Sequence, residues 1–327
     1  MSGEFDIIAR HFAPLATDPG AFGLTDDAAL LAASAYIVTK DVLVEGVHFL
    51  PKDPRDLVAR KSLRVNLSDL AAKGAKPVGY FLGCVWPAGV KEDAIGDFAR
   101  GLGEDQETFR IALLGGDTTV HVVKGAPLTI SITMFGYPSA SGIIRRNGAA
   151  AGDDLYVTGT IGDAGLGLRA LTGAIKVPAA PKKLLGDRYR LPLPRLAIGG
   201  ALAGLATSAI DVSDGLLADA GHLARQSGVA IDIASDKIPL SETAAALVVA
   251  SGEGPSAIAD LASCGDDYEI LFTAPPSRRR SIEMASQVTK TPVARIGSVT
   301  RGSGVRLIGE NGNIVDAPQH GFDHFSR

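Results

Sequence analysis

Ile111-Ala112-Leu113-Leu114 is an apolar run followed at once by Gly115-Gly116-Asp117-Thr118-Thr119. The run is too short for a helix and reads as a buried strand. Two glycines at its end allow the backbone to turn sharply and leave room for something bulky beside it. In open α/β sheets the crevice beyond the strand ends is where ligands bind. A carboxylate and two hydroxyls delivered there suit a metal-bound phosphate. A Gly-Gly turn carrying a solvated aspartate is the plainer alternative.

The pattern recurs along the chain. Thr25-Asp26-Asp27 forms a turn ahead of the apolar Ala28 to Leu31. Adjacent carboxylates repel, so the pair is easiest to keep beside a cation or backbone N–H groups, with an exposed Asx turn as the other reading. Glu4 to Phe12 has helical spacing, and Pro14 to Phe22 reads as loop. Tyr36 to Thr39 reads as a strand running into Lys40-Asp41 and continued by Leu43 to Phe49. That places Asp41 where a strand ends or bends, and alternation turns His48 to the face opposite Val47 and Phe49. His48 is then either a ligand or a satisfied structural residue. Asp53-Pro54 opens a helix that runs to Lys73 and closes on Gly74. On it Asn66 and Asp69 share a face. Asp69 lies near the C-terminal end, where the helix dipole disfavours an anion, so Lys73 or a divalent cation must compensate.

A strand over Val78 to Val85, a helix over Glu92 to Glu107 and a half-buried strand over Leu128 to Tyr137 complete the first half. Turn residues from Pro138 to Gly142 mark the domain boundary, giving domains over 1–140 and 141–327. Arg145-Arg146 follows as surface charge or a phosphate clamp. Asp154 to Thr158 reads as a strand, and Gly159 to Gly165 as a glycine-rich turn matching neither the dinucleotide fingerprint nor the P-loop. Residues 172–190 read as an irregular basic connection, with a helix from Pro194. Ser208 to Asp211 is a short strand. Ser213 or Asp214 then caps a helix whose apolar stripe is Leu216, Leu217, Ala220, Leu223 and Ala224, with Gly228 as its stop. Capping accounts for one acid there, not for two. Asp266-Asp267-Tyr268-Glu269 puts three acids before a buried strand.

Hydrophobic residues at 46% with only 6% aromatic, and 39 glycines, describe a core packed with small aliphatic side chains and many turns. A net charge of −4 leaves no basic footprint for nucleic acid. Two cysteines make neither a disulfide framework nor a zinc site. The first six residues carry no apolar signal core, and Leu196 to Ile210 is too short and polar to span a bilayer. A cytoplasmic protein without membrane contact is therefore expected. Many carboxylates with few histidines point to hard cations such as Mg²⁺, several of them bridging a polyphosphate.

Six segments together resemble the thiamine-monophosphate kinase family of the aminoimidazole-ribonucleotide-synthetase-like superfamily. They are Asp26-Asp27-Ala28-Ala29, Leu43 to Phe49, Val65-Asn66-Leu67-Ser68-Asp69-Leu70-Ala71-Ala72, Gly115 to Thr119, Ile210 to Leu216 and Asp267-Tyr268-Glu269. The resemblance runs from Gly3-Glu4-Phe5 to Gly321-Phe322-Asp323-His324-Phe325. It implies a two-domain α/β (α+β) fold with mixed sheets covered by helices. It implies ATP-dependent phosphorylation of thiamine monophosphate to thiamine diphosphate, and a homodimer formed through the N-terminal domains. By the family pattern Asp27, Thr39, Asp41, Asp69, Asp117, Asp211 and Asp214 hold several Mg²⁺ ions. Gly116, Asp117, Arg146 and Ser213 contact ATP, the co-substrate, and His48, Asp266 and Phe322 contact thiamine monophosphate. No residue is assigned as catalytic base.

The chain departs from the family at four places. It has Thr25-Asp26-Asp27 for Gly-Asp-Asp, Thr39-Lys40-Asp41 for Ser-Thr-Asp, Cys264-Gly265-Asp266-Asp267 for Gly-Gly-Glu-Asp, and Gly321-Phe322-Asp323 for Gly-Tyr-Asp. Lys40 either turns into the acid cluster as a fixed positive charge or points away. Adjacent strand residues face opposite sides, so Lys40 and Asp41 share a site only across a bend or bulge. Three rivals remain in view. A selenophosphate synthetase would need a reactive cysteine in a glycine-rich segment, and Cys84 sits in an apolar run instead. An aminoimidazole ribonucleotide synthetase would lack the motif around His48. The third is a non-catalytic nucleotide- or cation-binding protein.

Overall fold

The computed structural model describes residues 7–24, 31 and 34–317. The chain folds as two compact units, one up to Leu70 and again over Lys76–Pro138, the other over Ala71–Ala75 and from Ser139 onward.

In the first unit the elements are β1 (Ile37–Val44), α1 (Arg55–Ala72), β2 (Lys76–Trp86), α2 (Glu92–Phe109), β3 (Ala112–Val120) and β4 (Thr129–Tyr137). The strands form a mixed sheet in the order β1-β4-β2-β3, with β2 and β3 parallel and the other pairs antiparallel. β4 alternates as its sequence predicts: Ile130, Ile132 and Met134 are fully buried while the residues between them are half-buried. The buried face packs under helices, with the Trp86 ring edge-on to Phe98 of α2 at 5.3 Å and the Tyr80 hydroxyl donating to Gln106 at 2.8 Å. α1 and α2 are tied by Arg60 and Arg64, which both bond the fully buried Asp105.

The Gly115-Gly116 pair does not turn the chain. β3 runs through it to Val120, with one irregularity where Leu114 is inserted opposite Tyr80-Phe81. The glycines serve strand contact instead. A Cβ on Gly116 would lie 1.9 Å from the Leu82 carbonyl oxygen, so the close approach of β2 and β3 beyond the bulge requires glycine there.

The second unit contains β5 (Asp154–Thr158), α3 (Asp163–Thr172), α4 (Ala179–Arg190), α5 (Leu196–Leu202), β6 (Ser208–Asp211), α6 (Leu216–Ser227), β7 (Ala230–Ala234), α7 (Glu242–Ser251), α8 (Pro255–Ala262), β8 (Ile270–Ala274), α9 (Arg279–Thr289), β9 (Val293–Thr300) and β10 (Gly304–Ile308). Its sheet is also mixed, in the order β10-β7-β9-β5-β8-β6, with only β10 and β7 parallel. The neighbouring strands β5 and β8 are buried on both faces. Leu155, Val157 and Leu271 pack with the α6 stripe on one side, while Tyr156 and Phe272 pack with Ile198, Leu202 and Ile282 on the other.

Three local expectations change. Residues 179–190 are helical, because Leu185 and Tyr189, four apart, bury against the rest while Lys182 and Lys183 stay at the surface and Arg188 turns inward to Glu269. Pro14 to Phe22 is not plain loop, since Ala13–Leu15 and Pro19–Leu24 are 3-10 turns. The N-terminal helix is seen as a short π-helical turn, Ile8–Phe12. The turn and strand expected over Thr25 to Leu31 lie almost wholly outside the described residues, as does the segment from Gly321 to Phe325.

Candidate functional site

In the first unit β1 pairs with β4 over its whole length without a register shift. Asp41 therefore sits inside a regular strand, not at an end or bend, and Lys40 and Asp41 face opposite sides. Thr39 and Asp41 share the face of the buried Leu43, towards α1, where the Thr39 hydroxyl donates to Asp69 in the last turns of that helix. Burial, and then the charge of Asp69, push the Asp41 carboxyl up to about 7, with Lys40 partly opposing. Two carboxylates and a hydroxyl thus crowd together at the cost of mutual repulsion. An oxygen-only donor set of this kind suits a hard divalent cation, which would relieve that repulsion. Asn66, one turn before Asp69, is fully buried, and its Oδ1 has no hydrogen-bond partner among the described residues.

Asp117 lies elsewhere. The ladder sets it opposite Gly83, and Gly83 opposite Ser131, on the sheet face that Lys40 occupies. Lys40 Nζ donates to Ser131 Oγ at 2.5 Å. A cavity of about 610 Å³ opens on this face, lined among others by Lys40, Gly83, Gly116, Asp117 and Ser131. The structure thus brings Thr39, Asp41 and Asp69 together and puts Gly116 and Asp117 beside the cavity.

His48 is not in a strand. It follows β1 in a turn opened by Gly46 at φ +81°, so strand alternation does not set its direction. Its Nδ1 accepts the Val44 N–H at 3.0 Å, and its carbonyl accepts a hydrogen bond from the buried Lys61 Nζ at 2.9 Å. With Nδ1 used as an acceptor, the ring proton of the neutral imidazole is assigned to Nε2.

In the second unit β6 ends at Asp211, and the loop to α6 carries Ser213 and Asp214. Neither occupies the capping position of α6, whose N-cap is Gly215 at φ +115°. The loop is held by Asp219, which reaches back from the first turn to accept the Asp214 N–H at 3.0 Å. Asp219 is 2% exposed, and burial followed by the charges of Asp214 and Asp211 drives its carboxyl well up. Ligand atoms of Asp214, Asp219 and His222 lie within 4.8 Å of one another. His222 Nδ1 accepts from Arg225 at 2.8 Å, and burial with the charges of Arg225 and Arg146 lowers its pKa. Asp219 and His222 went unnoticed in the sequence. Their signal is an Asp and a His three apart at the start of a helix that directly follows an acidic turn.

The acids before β8 divide their work. Asp266 is half-buried and its amide donates to the Ser213 carbonyl at 2.8 Å. Asp267 and Glu269 are buried and turn inward. Neither cysteine offers a thiolate: burial pushes Cys84 far up and Cys264 to about 11. Asp27 and Phe322 lie outside the described residues.

The chain matches the family models for the AIR synthase related protein N-terminal domain over residues 25–137 and C-terminal domain over residues 150–310. It is 45% identical over 306 residues to the thiamine-monophosphate kinase of Caulobacter vibrioides, covering 92% of this chain and 85% of that protein. The crystal structure of thiamine-monophosphate kinase from Stenotrophomonas maltophilia K279a superposes with a TM-score of 0.83 at 37% identity, over 96% of this chain and 98% of that one. AaThiL, solved complexed with AMPPCP and TMP, superposes with a TM-score of 0.78 at 30% identity, over 94% of this chain and 97% of that one.

Proposed function

The chain belongs to the thiamine-monophosphate kinases of the AIR-synthase-related family, and on that premise we propose that it transfers the terminal phosphoryl group of ATP to thiamine monophosphate, giving thiamine diphosphate. The observation that carries the reading is the pair of acid clusters, Thr39-Asp41-Asp69 in the first unit and Asp211-Asp214-Asp219 in the second. Charge packed this closely in both halves fits a substrate pair that arrives with many phosphate oxygens and divalent cations.

Thr39, Asp41 and Asp69 are the proposed holders of one Mg²⁺. Asp117, Asp211 and Asp214, with Asp27, are the proposed holders of others. Gly116, Asp117, Arg146 and Ser213 take the nucleotide. The size of the cavity beside Gly116 and Asp117, about 610 Å³, is that of a small-molecule site. His48 presents Nε2–H to the acceptor phosphate, with Asp266 and Phe322 as further acceptor contacts. The acceptor is a phosphate monoester, largely dianionic at neutral pH because its second pKa is about 6, so it needs no general base. The obstacle is repulsion: unit charges about 4 Å apart repel by roughly 4 kcal/mol at an effective dielectric of 20. Mg²⁺ held by these carboxylates would supply charge neutralisation at the phosphate oxygens and so favour in-line transfer. His48 and Arg146 add positive or donor groups from the chain itself.

The first unit is the proposed ATP/Mg-binding and dimerisation domain (1–140), and the second (141–327) is the proposed C-terminal α/β domain that contributes the remaining site residues. Exposed Val38 and Val42 on the sheet face away from α1, together with Val120 on the edge strand, support a homodimer through the first unit. Among the described residues no helix is long and apolar enough to cross a membrane. A cytoplasmic location is proposed, because the reading makes the protein a consumer of ATP.

ADP formation measured with and without thiamine monophosphate tests the reading. Release that depends on the acceptor, with thiamine diphosphate as product, is the expected result. Acceptor-independent ADP release, or tight nucleotide binding with no turnover, would favour the non-catalytic alternative.

A further inference from the structure

The acidic segment before β8 and the loop after β6 are joined by their backbones. The Asp266 amide donates to Ser213 O, the Tyr268 amide to Val212 O and the Val212 amide to Glu269 O, each at 2.8 Å. The two segments approach so closely that both need glycine. A Cβ on Gly265 would meet Ser213 O at 2.4 Å, and one on Gly215 would meet Ser263 O at 2.8 Å. Asp266 and Tyr268 both adopt positive φ, +72° and +51°, a region that L side chains avoid unless their surroundings hold them there.

Between these two residues stands Asp267, 1% exposed. Its Oδ2 accepts the Gly162 N–H at 2.7 Å and its Oδ1 the Ala164 N–H at 3.4 Å, which anchors the segment to the start of α3. Two residues on, the fully buried Glu269 is clamped by Arg195 at 2.6 Å, Arg188 at 3.0 Å and the Thr158 hydroxyl at 2.7 Å. Asp266 is the least buried acid of the three, and both of the others are fastened inward.

We infer that Asp267 is a positioning residue: by anchoring the segment to α3 it holds Asp266, the acceptor contact, in fixed register with Ser213, the nucleotide contact. The roles of Asp266 and Ser213 rest on the kinase reading. The anchoring does not. Misplacing reacting groups by about 1 Å costs on the order of 10²-fold in rate, so a loosened segment slows transfer without preventing either ligand from binding.

The test uses the full-length protein with Asp267→Ala and Asp267→Asn, since the amide keeps one acceptor oxygen for the Gly162 N–H. Hydrogen exchange is read at the Asp266 and Tyr268 amides. Wild type should protect both, Asp267→Ala should lose that protection while β8 and α6 stay protected, and Asp267→Asn should keep most of it. Turnover should fall on the order of 10²-fold in Asp267→Ala, with AMPPCP affinity within about threefold of wild type and with substantial recovery in Asp267→Asn. Unprotected Asp266 and Tyr268 amides in wild type, or unchanged protection in Asp267→Ala, overturns the inference whatever the activity. So does a loss of rate matched by an equal loss of folded, AMPPCP-binding protein. A wild type that makes no thiamine diphosphate overturns the kinase reading alone, and the exchange result then stands for the anchoring.

Discussion

Asp41→Asn should stabilise the metal-free protein while removing its activity. The Asp41 carboxyl is pushed up to about 7 in the folded chain, chiefly by burial and by Asp69, and ionises near 3.9 when unfolded. Between those values the folded chain keeps a proton that the unfolded chain has released. Stability from this group is therefore fully present below about pH 4 and is lost as pH rises through 7. At about 1.4 kcal/mol per pKa unit the full loss is at most about 4 kcal/mol. Asp41 is only half-buried, so solvent screening reduces it to about 1–2 kcal/mol. Asparagine carries no such charge. In EDTA at pH 8 the variant should melt a few degrees above wild type, at roughly 2–4 °C per kcal/mol. At pH 5 the difference should shrink to about a third, since only about one of the three units has by then been crossed. Added Mg²⁺ should raise the wild-type melting temperature more than the variant's, because the variant has lost one of the proposed metal sites and keeps the others. A variant less stable than wild type in EDTA at pH 8, or a difference independent of pH, would refute the claim that charge crowding strains this cluster.

Asp117→Asn should reduce turnover at least about 10²-fold with an unchanged circular dichroism spectrum, because its exposed carboxylate packs against nothing in the core; near-normal activity would remove it from the mechanism. His48→Ala should raise KM for thiamine monophosphate and leave KM for ATP nearly unchanged, with about 1 kcal/mol lost from stability for the bond to the Val44 N–H. A defect confined to ATP would count against the acceptor assignment. Lys40→Thr should leave the Mg²⁺ concentration that stabilises the protein through Asp41 and Asp69, read as the rise in melting temperature, within about twofold of wild type, because Lys40 lies across the sheet from Asp41, bonds Ser131 and shares its cavity with Asp117 instead. A clear shift to higher Mg²⁺ would instead support a lysine charge standing in for an ion.

Much of the frame was legible because it follows from local periodicity. The alternation of Leu128 to Tyr137 predicts β4, and the spacing of Leu216, Leu217, Ala220, Leu223 and Ala224 predicts α6 and its buried stripe. Glycine positions were legible, but their reasons were not. Gly115-Gly116 reads as a turn in the chain and proves to be a close approach of two strands. The helix over 179–190 was missed because a two-residue apolar contact among basic residues gives almost no periodic signal.

The sequence by itself determined which residues are acidic, that they gather beside short strands, and the family to which such motifs in such an order belong. Tertiary structure decided how those acids divide. Strand register, a property of pairing between distant segments, puts Thr39 and Asp41 on one face of the sheet and Lys40 and Asp117 on the other. Burial, which depends on everything packed around a group, turns Asp267 and Glu269 inward as anchors and leaves Asp266 nearer the surface. No local pattern distinguishes those three carboxylates, because the groups that do so, the start of α3, Arg188 and Arg195, reach Asp267 and Glu269 only once the chain has folded.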